Sequence, residues 1–147
     1  MMNINRNLVF LAISAAILIS CNKDEVEQLE LESFTIELPS NWTFNEVQGY
    51  DSYVRQIKTS DNQIINMDLG WYSSDLPVDD QTHNITFKLI DNKEAKIVHP
   101  RNFRNGTTGV YFDNLDNQGT KLQISGIDLS ESNQLLFLNA IETIKFK

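Results

Sequence analysis

Gln63-Ile64-Ile65-Asn66-Met67-Asp68-Leu69-Gly70-Trp71 sets Ile65, Met67, Leu69 and Trp71 at every second position, with Asn66, Asp68 and Gly70 between them. A period of two sends alternate side chains to opposite faces of an extended chain, so this stretch reads as a strand with one buried face. Just upstream, residues 52–58 (SYVRQIK) carry Tyr53 and Ile57 on one face, although Arg55 shares it and Val54 lies opposite. Thr59-Ser60-Asp61-Asn62 between the two runs consists of turn formers, which makes them an antiparallel hairpin.

The same alternation recurs on either side of the hairpin. Phe34, Ile36 and Leu38 oppose Thr35 and Glu37, and Pro39-Ser40-Asn41 ends that strand. Trp42 to Glu46 reads as a turn of helix. Ile85, Phe87 and Leu89 alternate with Thr86 and Lys88, then Asp91-Asn92-Lys93-Glu94 turns the chain into Ala95 and Ile97. Pro100, which lacks an N–H, stops that strand. Val110 to Phe112 and Lys121 to Ile124 give a third pair across the loop from Asp113 to Gly119.

At the C-terminus the period changes. Ser130 is placed to cap free N–H groups, Glu131 complements the helix dipole, and Gln134, Phe137, Leu138, Ile141 and Ile144 recur at three and four. The spacing predicts a helix from about Glu131 to Glu142, and Ile144-Lys145-Phe146 reads as a short strand. The expected fold class is α+β: an antiparallel sheet of six or seven strands with a C-terminal helix packed on it, in one domain spanning residues 34–147.

The N-terminal segment has a different character. Residues 3–7 are polar with the single charge of Arg6, and Leu8 to Ile19 is an uncharged, almost wholly apolar run of 12. That order marks a secretory signal peptide. A membrane span needs about 20 apolar residues, so the run is too short to be one. Leu18-Ile19-Ser20-Cys21 resembles the bacterial lipobox, in which diacylglycerol is attached to the thiol and the peptidase cuts just before it, after residues 1–20. The resemblance implies a partner for Cys21, the lipid bilayer, reached through the three acyl chains of mature lipoproteins. Two or more chains are what stable insertion requires.

Asn22 is not the Asp associated with inner-membrane retention, which favours the outer membrane. Lys23-Asp24-Glu25 resembles the export signal of surface-exposed lipoproteins. Residues 21–33, with like charges and only Val26, Leu29 and Leu31 apolar, read as an acidic tether.

With 12 Lys and Arg against 20 Asp and Glu, the net charge is −8, and losing Arg6 with the leader makes the chain more acidic still. Phosphate backbones are bound through basic clusters, so nucleic acid is not an expected partner. One cysteine permits neither an internal disulfide framework nor a cysteine-based zinc site.

Several stretches carry a family resemblance: Phe34-Thr35-Ile36-Glu37-Leu38-Pro39 leading into Trp42, the strand from Gly49 to Ile57, Asp68-Leu69-Gly70-Trp71-Tyr72, and the closing helix from Leu129-Ser130 to Ile144-Lys145-Phe146. Together they resemble PsbP-like domains over most of residues 34–147. That superfamily is named for an extrinsic photosystem II subunit, and includes a nuclear-transport factor that binds a GTPase and bacterial lipoproteins, some of the DcrB type. The resemblance implies an α/β/α sandwich around a curved antiparallel sheet and an adaptor role. It transfers no functional residue.

Signatures of chemistry are scarce. The chain has no G-x-S-x-G, G-x-x-x-x-G-K, H-E-x-x-H or G-x-G-x-x-G. His83 and His99 sit beside strands without a nucleophile at recognisable spacing, and are expected at the surface or a sheet edge. Asp75, Asp79, Asp80 and His83 share a loop and could converge on a hard cation, but loops also collect Asp for turn reasons. The Asp113 to Gly119 loop has Leu115 where a calcium loop needs an oxygen. No catalytic residue, resident metal or cofactor is expected.

His99, Arg101 and Arg104 concentrate positive charge beside Phe103, which suits either an anionic ligand or local charge balance. Of the aromatics Tyr50, Tyr53, Trp71 and Tyr72, Tyr72 is expected to point outward because Trp71 takes the inward face. Large aromatics on strands more often pack in a core; where they face solvent, Tyr50, Tyr72, Arg101 and Arg104 make the candidate partner surface. The functional expectation is a membrane-anchored, non-enzymatic binding or adaptor module with a protein partner in the envelope. An envelope inhibitor that neutralises a basic toxin or enzyme is the alternative, because an acidic surface steers a cationic partner. A hydrolase built on an acid pair such as Asp79 and Asp80 ranks last.

Overall fold

The structure, a computed structural model, describes residues 25–47 and 53–147. In chain order these form β1 (Val26–Glu30), β2 (Phe34–Pro39), β3 (Thr43–Glu46), β4 (Tyr53–Lys58), β5 (Ile64–Gly70), β6 (His83–Ile90), β7 (Lys93–Pro100), β8 (Thr107–Phe112), β9 (Lys121–Ile127), α1 (Glu131–Ile141) and β10 (Lys145–Phe146). The signal peptide, Leu18, Ile19, Ser20, Cys21 and Tyr50 lie outside the described residues.

Seven strands make one antiparallel sheet in the order β3-β4-β5-β9-β8-β7-β6, and β1-β2-β10 make a second, smaller one. The hairpin around residues 59–62 forms as its alternation predicts, with Ile57 opposite Ile65 and Tyr53 opposite Leu69. After β5 the chain crosses through residues 71–82 to the far edge and returns as the meander β6-β7-β8-β9, so that β9 lands beside β5 with Met67 opposite Ile124. Asp91 and Asn92, both with positive φ (46° and 63°), make the two-residue turn whose twist suits a β6–β7 hairpin.

Cross-strand partners share a face, so Ile57, Ile65, Met67, Ile97, Val110 and Ile124 form one apolar layer. Phe34, Ile36 and Leu38 of the small sheet and Phe137, Ile141 and Ile144 at α1 close over it. The helix is capped as expected: the Ser130 side chain accepts from the Asn133 N–H at 3.3 Å, and Glu131 lies in the first turn. Its buried amides are satisfied, Gln134 by the Thr108 hydroxyl and Asn133 by Asp61 and Gln63 on the β4–β5 turn.

Four expectations are corrected. The segment read as an acidic tether contributes β1, which pairs with β2 from Val26 opposite Pro39 to Glu30 opposite Thr35, and Leu31 is buried. Backbone pairing carries this strand, with Leu29 opposite Ile36 as its main apolar contact to the core. Thr43 to Glu46 is a strand, not a turn of helix. It pairs with β4, where Glu46 meets Arg55 at 2.8 Å and the Arg55 guanidinium lies 3.5 Å from the Tyr53 ring centre. Trp71 does not face inward: β5 ends at Gly70, so the alternation stops before Trp71.

The layering also differs from an α/β/α sandwich. Among the described residues there is one helix, and it shares the core side of the large sheet with the small sheet. A meander needs no crossover helices, so among the described residues none covers the opposite face. That face is partly covered by residues 71–82, where Leu76 packs with Val98 and Tyr111.

Candidate functional site

The face away from the core is set by register. Phe87 of β6 stands opposite Lys96, Lys96 opposite Tyr111, Tyr111 opposite Gln123, and Gln123 opposite Asp68. Leu89 stands opposite Glu94. Phe87, Glu94, Lys96 and Tyr111 of these floor a groove of about 640 Å³ whose walls come from Ser73, Ser74 and Asp75 of the crossing loop and from Asp113 and Lys121.

The crossing loop is pinned there by three devices. Leu76 holds a left-handed φ of 55° and inserts its buried side chain over Gly109. A Cβ on Gly109 would lie 2.6 Å from the Ile124 carbonyl and 3.1 Å from Leu76 Cδ1, so only glycine leaves room for that contact. Lys96 Nζ donates to the carbonyls of Asp75 and Leu76 at 2.7 and 3.0 Å, and the Ser73 hydroxyl donates to those of Asp68 and Gly70.

Within the groove, Tyr111 donates its hydroxyl to Asp113 Oδ1 at 2.7 Å, and Lys121 lies 3.8 Å from the same carboxylate. Burial first, and then the Asp113 hydrogen bond and the negative charge of Asp113 and Asp75, push the Tyr111 phenol well above its usual range. It is thus a neutral donor at any physiological pH. The arrangement offers two cations and three carboxylates beside the exposed ring of Phe87, with most of the strong donors already engaged. It suits recognition of a mixed polar and apolar surface.

Large side chains ring this end of the sheet. Phe87 and Leu89 are 63% and 70% exposed, and Trp71 and Tyr72, which follow β5 where Gly70 pairs with Lys121, are 63% and 83% exposed. Tyr72 therefore points outward as expected, and Trp71 joins it. Arg101 and Arg104 stand at the other end of the sheet, in the β7–β8 loop, where Arg101 donates to the Asp80 carbonyl and the Arg104 N–H to that of Leu129. Of the residues expected to make one surface, Tyr72 thus stands at one end and Arg101 and Arg104 at the other. Phe87, Lys96, Tyr111 and Lys121 were not expected, and only strand register brings them together.

Asp75, Asp79, Asp80 and His83 do not converge; among the described residues no group of three His, Cys, Asp or Glu side chains is arranged to hold a metal ion. Asp79 Oδ1 accepts the Gln81 N–H at 2.8 Å, which makes it a turn former. His83 lies on the edge strand β6, as expected, but its side chain is buried there. Its Nε2 accepts the Thr107 N–H at 3.1 Å, which assigns the Nδ1 proton to the bond with the Thr82 hydroxyl at 2.8 Å. His99 is half-buried on β7. Asp116 closes the 113–119 loop by accepting from the N–H groups of Gln118 and Thr120 and from the Thr120 hydroxyl, and these bonds hold its carboxyl below the usual range.

No helix among the described residues is long and apolar enough to cross a membrane. No family model matches the chain, and no curated protein matches it.

Proposed function

We propose that this chain is a lipoprotein of the cell envelope, anchored in the outer membrane through acylated Cys21, whose folded part is a non-enzymatic binding or adaptor module for a protein partner. The observation that carries the binding role is the end of the large sheet where Phe87, Leu89, Trp71 and Tyr72 stand exposed around a groove of mixed charge. Large apolar side chains gathered in this way are a feature of interaction surfaces. The anchor is supported by the order of the leader: Arg6, the apolar run to Ile19, then Ser20 and Cys21. A seven-stranded antiparallel sheet with a C-terminal helix is compatible with a PsbP-like domain, and the module is proposed as a variant of that fold with a small sheet beside its helix.

The test is crosslinking and capture from cells with wild type, Cys21→Ser and the double variant Trp71→Ser/Phe87→Ser. The proposal expects one partner that wild type enriches, that delocalisation by Cys21→Ser loses, and that the double variant loses while still fractionating with the membrane. A partner captured equally by all three proteins would contradict it.

A net charge of −8 favours a second reading, an inhibitor of a basic toxin or enzyme. Its association rate would fall steeply as salt rises, whereas binding centred on exposed apolar side chains would change little.

A further inference from the structure

On the opposite side of the molecule a second concavity, of about 700 Å³, is lined by Val26 of β1, Glu37 and Pro39 of β2, and Leu136, Ala140 and Thr143 at α1. It lies where the small sheet gives way to the helix. β10 pairs with β2 only at Phe34 and Thr35, and farther along that edge the Glu37 N–H donates to Thr143 Oγ1 at 2.8 Å. The Thr143 hydroxyl in turn donates to the Ala140 carbonyl at 2.7 Å, so both its roles are filled. What remains for an occupant is the hydrocarbon of Val26, Pro39, Leu136 and Ala140, beside the Asn139 amide and the carboxylates of Glu25 and Glu37.

We infer that this groove receives one acyl chain of Cys21, an inference that rests on the lipoprotein reading above. Three observations point to that occupant. Glu25, the first described residue, itself lines the groove, and Cys21 precedes it by four residues, which span at most about 14 Å when extended. Val26, Pro39, Leu136 and Ala140 give the lining an apolar half and the Thr143 hydroxyl is engaged, which suits a methylene chain. Glu25 and Glu37 border it with carboxylates, which suits an uncharged ester-linked chain and repels a free fatty-acid anion.

A bilayer takes all the chains of an anchored lipoprotein together, and stable insertion depends on more than one. The groove holds one chain where no bilayer is present. Its role is to shelter hydrocarbon while the protein is in water, and to yield that chain on insertion.

The test uses the mature chain, residues 21–147, carrying Cys21→Ser, titrated with monopalmitoylglycerol below its aggregation threshold, with palmitate as the charged comparison. The expected result is one-to-one binding of the neutral lipid, at least tenfold weaker binding of palmitate, and slowed hydrogen exchange in Val26–Glu30 and Leu136–Thr143. Val26→Glu and Leu136→Glu each weaken binding at least tenfold; Val26 is exposed, so its variant keeps the parent melting temperature even where Leu136→Glu lowers it. Absence of binding, or binding indifferent to both substitutions, overturns the inference. So does a dimer that excludes the lipid and dissociates in Leu136→Glu, which would assign the groove to a second copy. The intact mass of the wild-type protein separates the two levels: acyl mass on Cys21 without lipid binding sinks the groove alone, and an unmodified thiol sinks both.

Discussion

Asp61 sits on the β4–β5 turn, where its carboxylate accepts from the Thr59 hydroxyl at 2.6 Å and from Asn133 Nδ2 of α1 at 2.6 Å. These bonds, the Thr59 one foremost, hold its carboxyl below the ordinary value of 3.8. A folded-state value lower than the unfolded one gives a contribution that is complete above about pH 4 and is lost as pH falls through the folded value. Melting temperature should therefore fall more steeply for wild type than for Asp61→Asn between pH 5 and pH 3, with the two curves converging at the acid end. Gly109 makes a second residue-scale case. Gly109→Ala forces a Cβ onto the Ile124 carbonyl and onto Leu76, and should cost about 1–3 kcal/mol, read as a lower denaturant midpoint at unchanged slope.

At the scale of elements, β1 shows what alternation reveals and what it conceals. The strands whose inward side chains are all apolar, such as Phe34-Thr35-Ile36-Glu37-Leu38 and Ile65 to Leu69, were legible because burial imposes the period. So were the cap at Ser130 and the helix beyond it. In β1, Glu27 and Leu29 share the inward face, so the pattern is too weak to read, and its partner is fixed by backbone pairing. If β1 belongs to the fold, Leu31→Ala should destabilise by about 2–5 kcal/mol, as for other buried leucines. A solvated tether would leave the melting temperature unchanged.

β6 is the converse case. Its alternation of Ile85, Phe87 and Leu89 was plain, but the direction of that face depends on which side of the sheet the core occupies, a long-range fact. The groove was invisible for the same reason, since Phe87, Lys96, Tyr111 and Lys121 come from four strands and share no motif. Tyr72 is outward as expected, but not for the expected reason, since β5 ends at Gly70 and Trp71 is exposed as well.

For the whole molecule, the two grooves lie on different faces. Phe87 and the mixed-charge groove occupy the outer face of the large sheet, with Trp71 and Tyr72 exposed just beyond β5, while Glu25 lines the groove between the small sheet and α1. A module anchored at its N-terminus can then present the first face to a partner. Trp71→Ser/Phe87→Ser should leave the melting temperature within about 1 kcal/mol equivalent of wild type, because both side chains are exposed, while abolishing partner capture. All of this turns on the fate of Cys21, and the intact mass of protein extracted from the membrane fraction reads that fate directly. A lipid-anchored protein is expected to begin at residue 21 and to carry a diacylglyceryl group and a further acyl chain; a full 147-residue mass without an adduct, recovered from the aqueous fraction, would contradict the anchor.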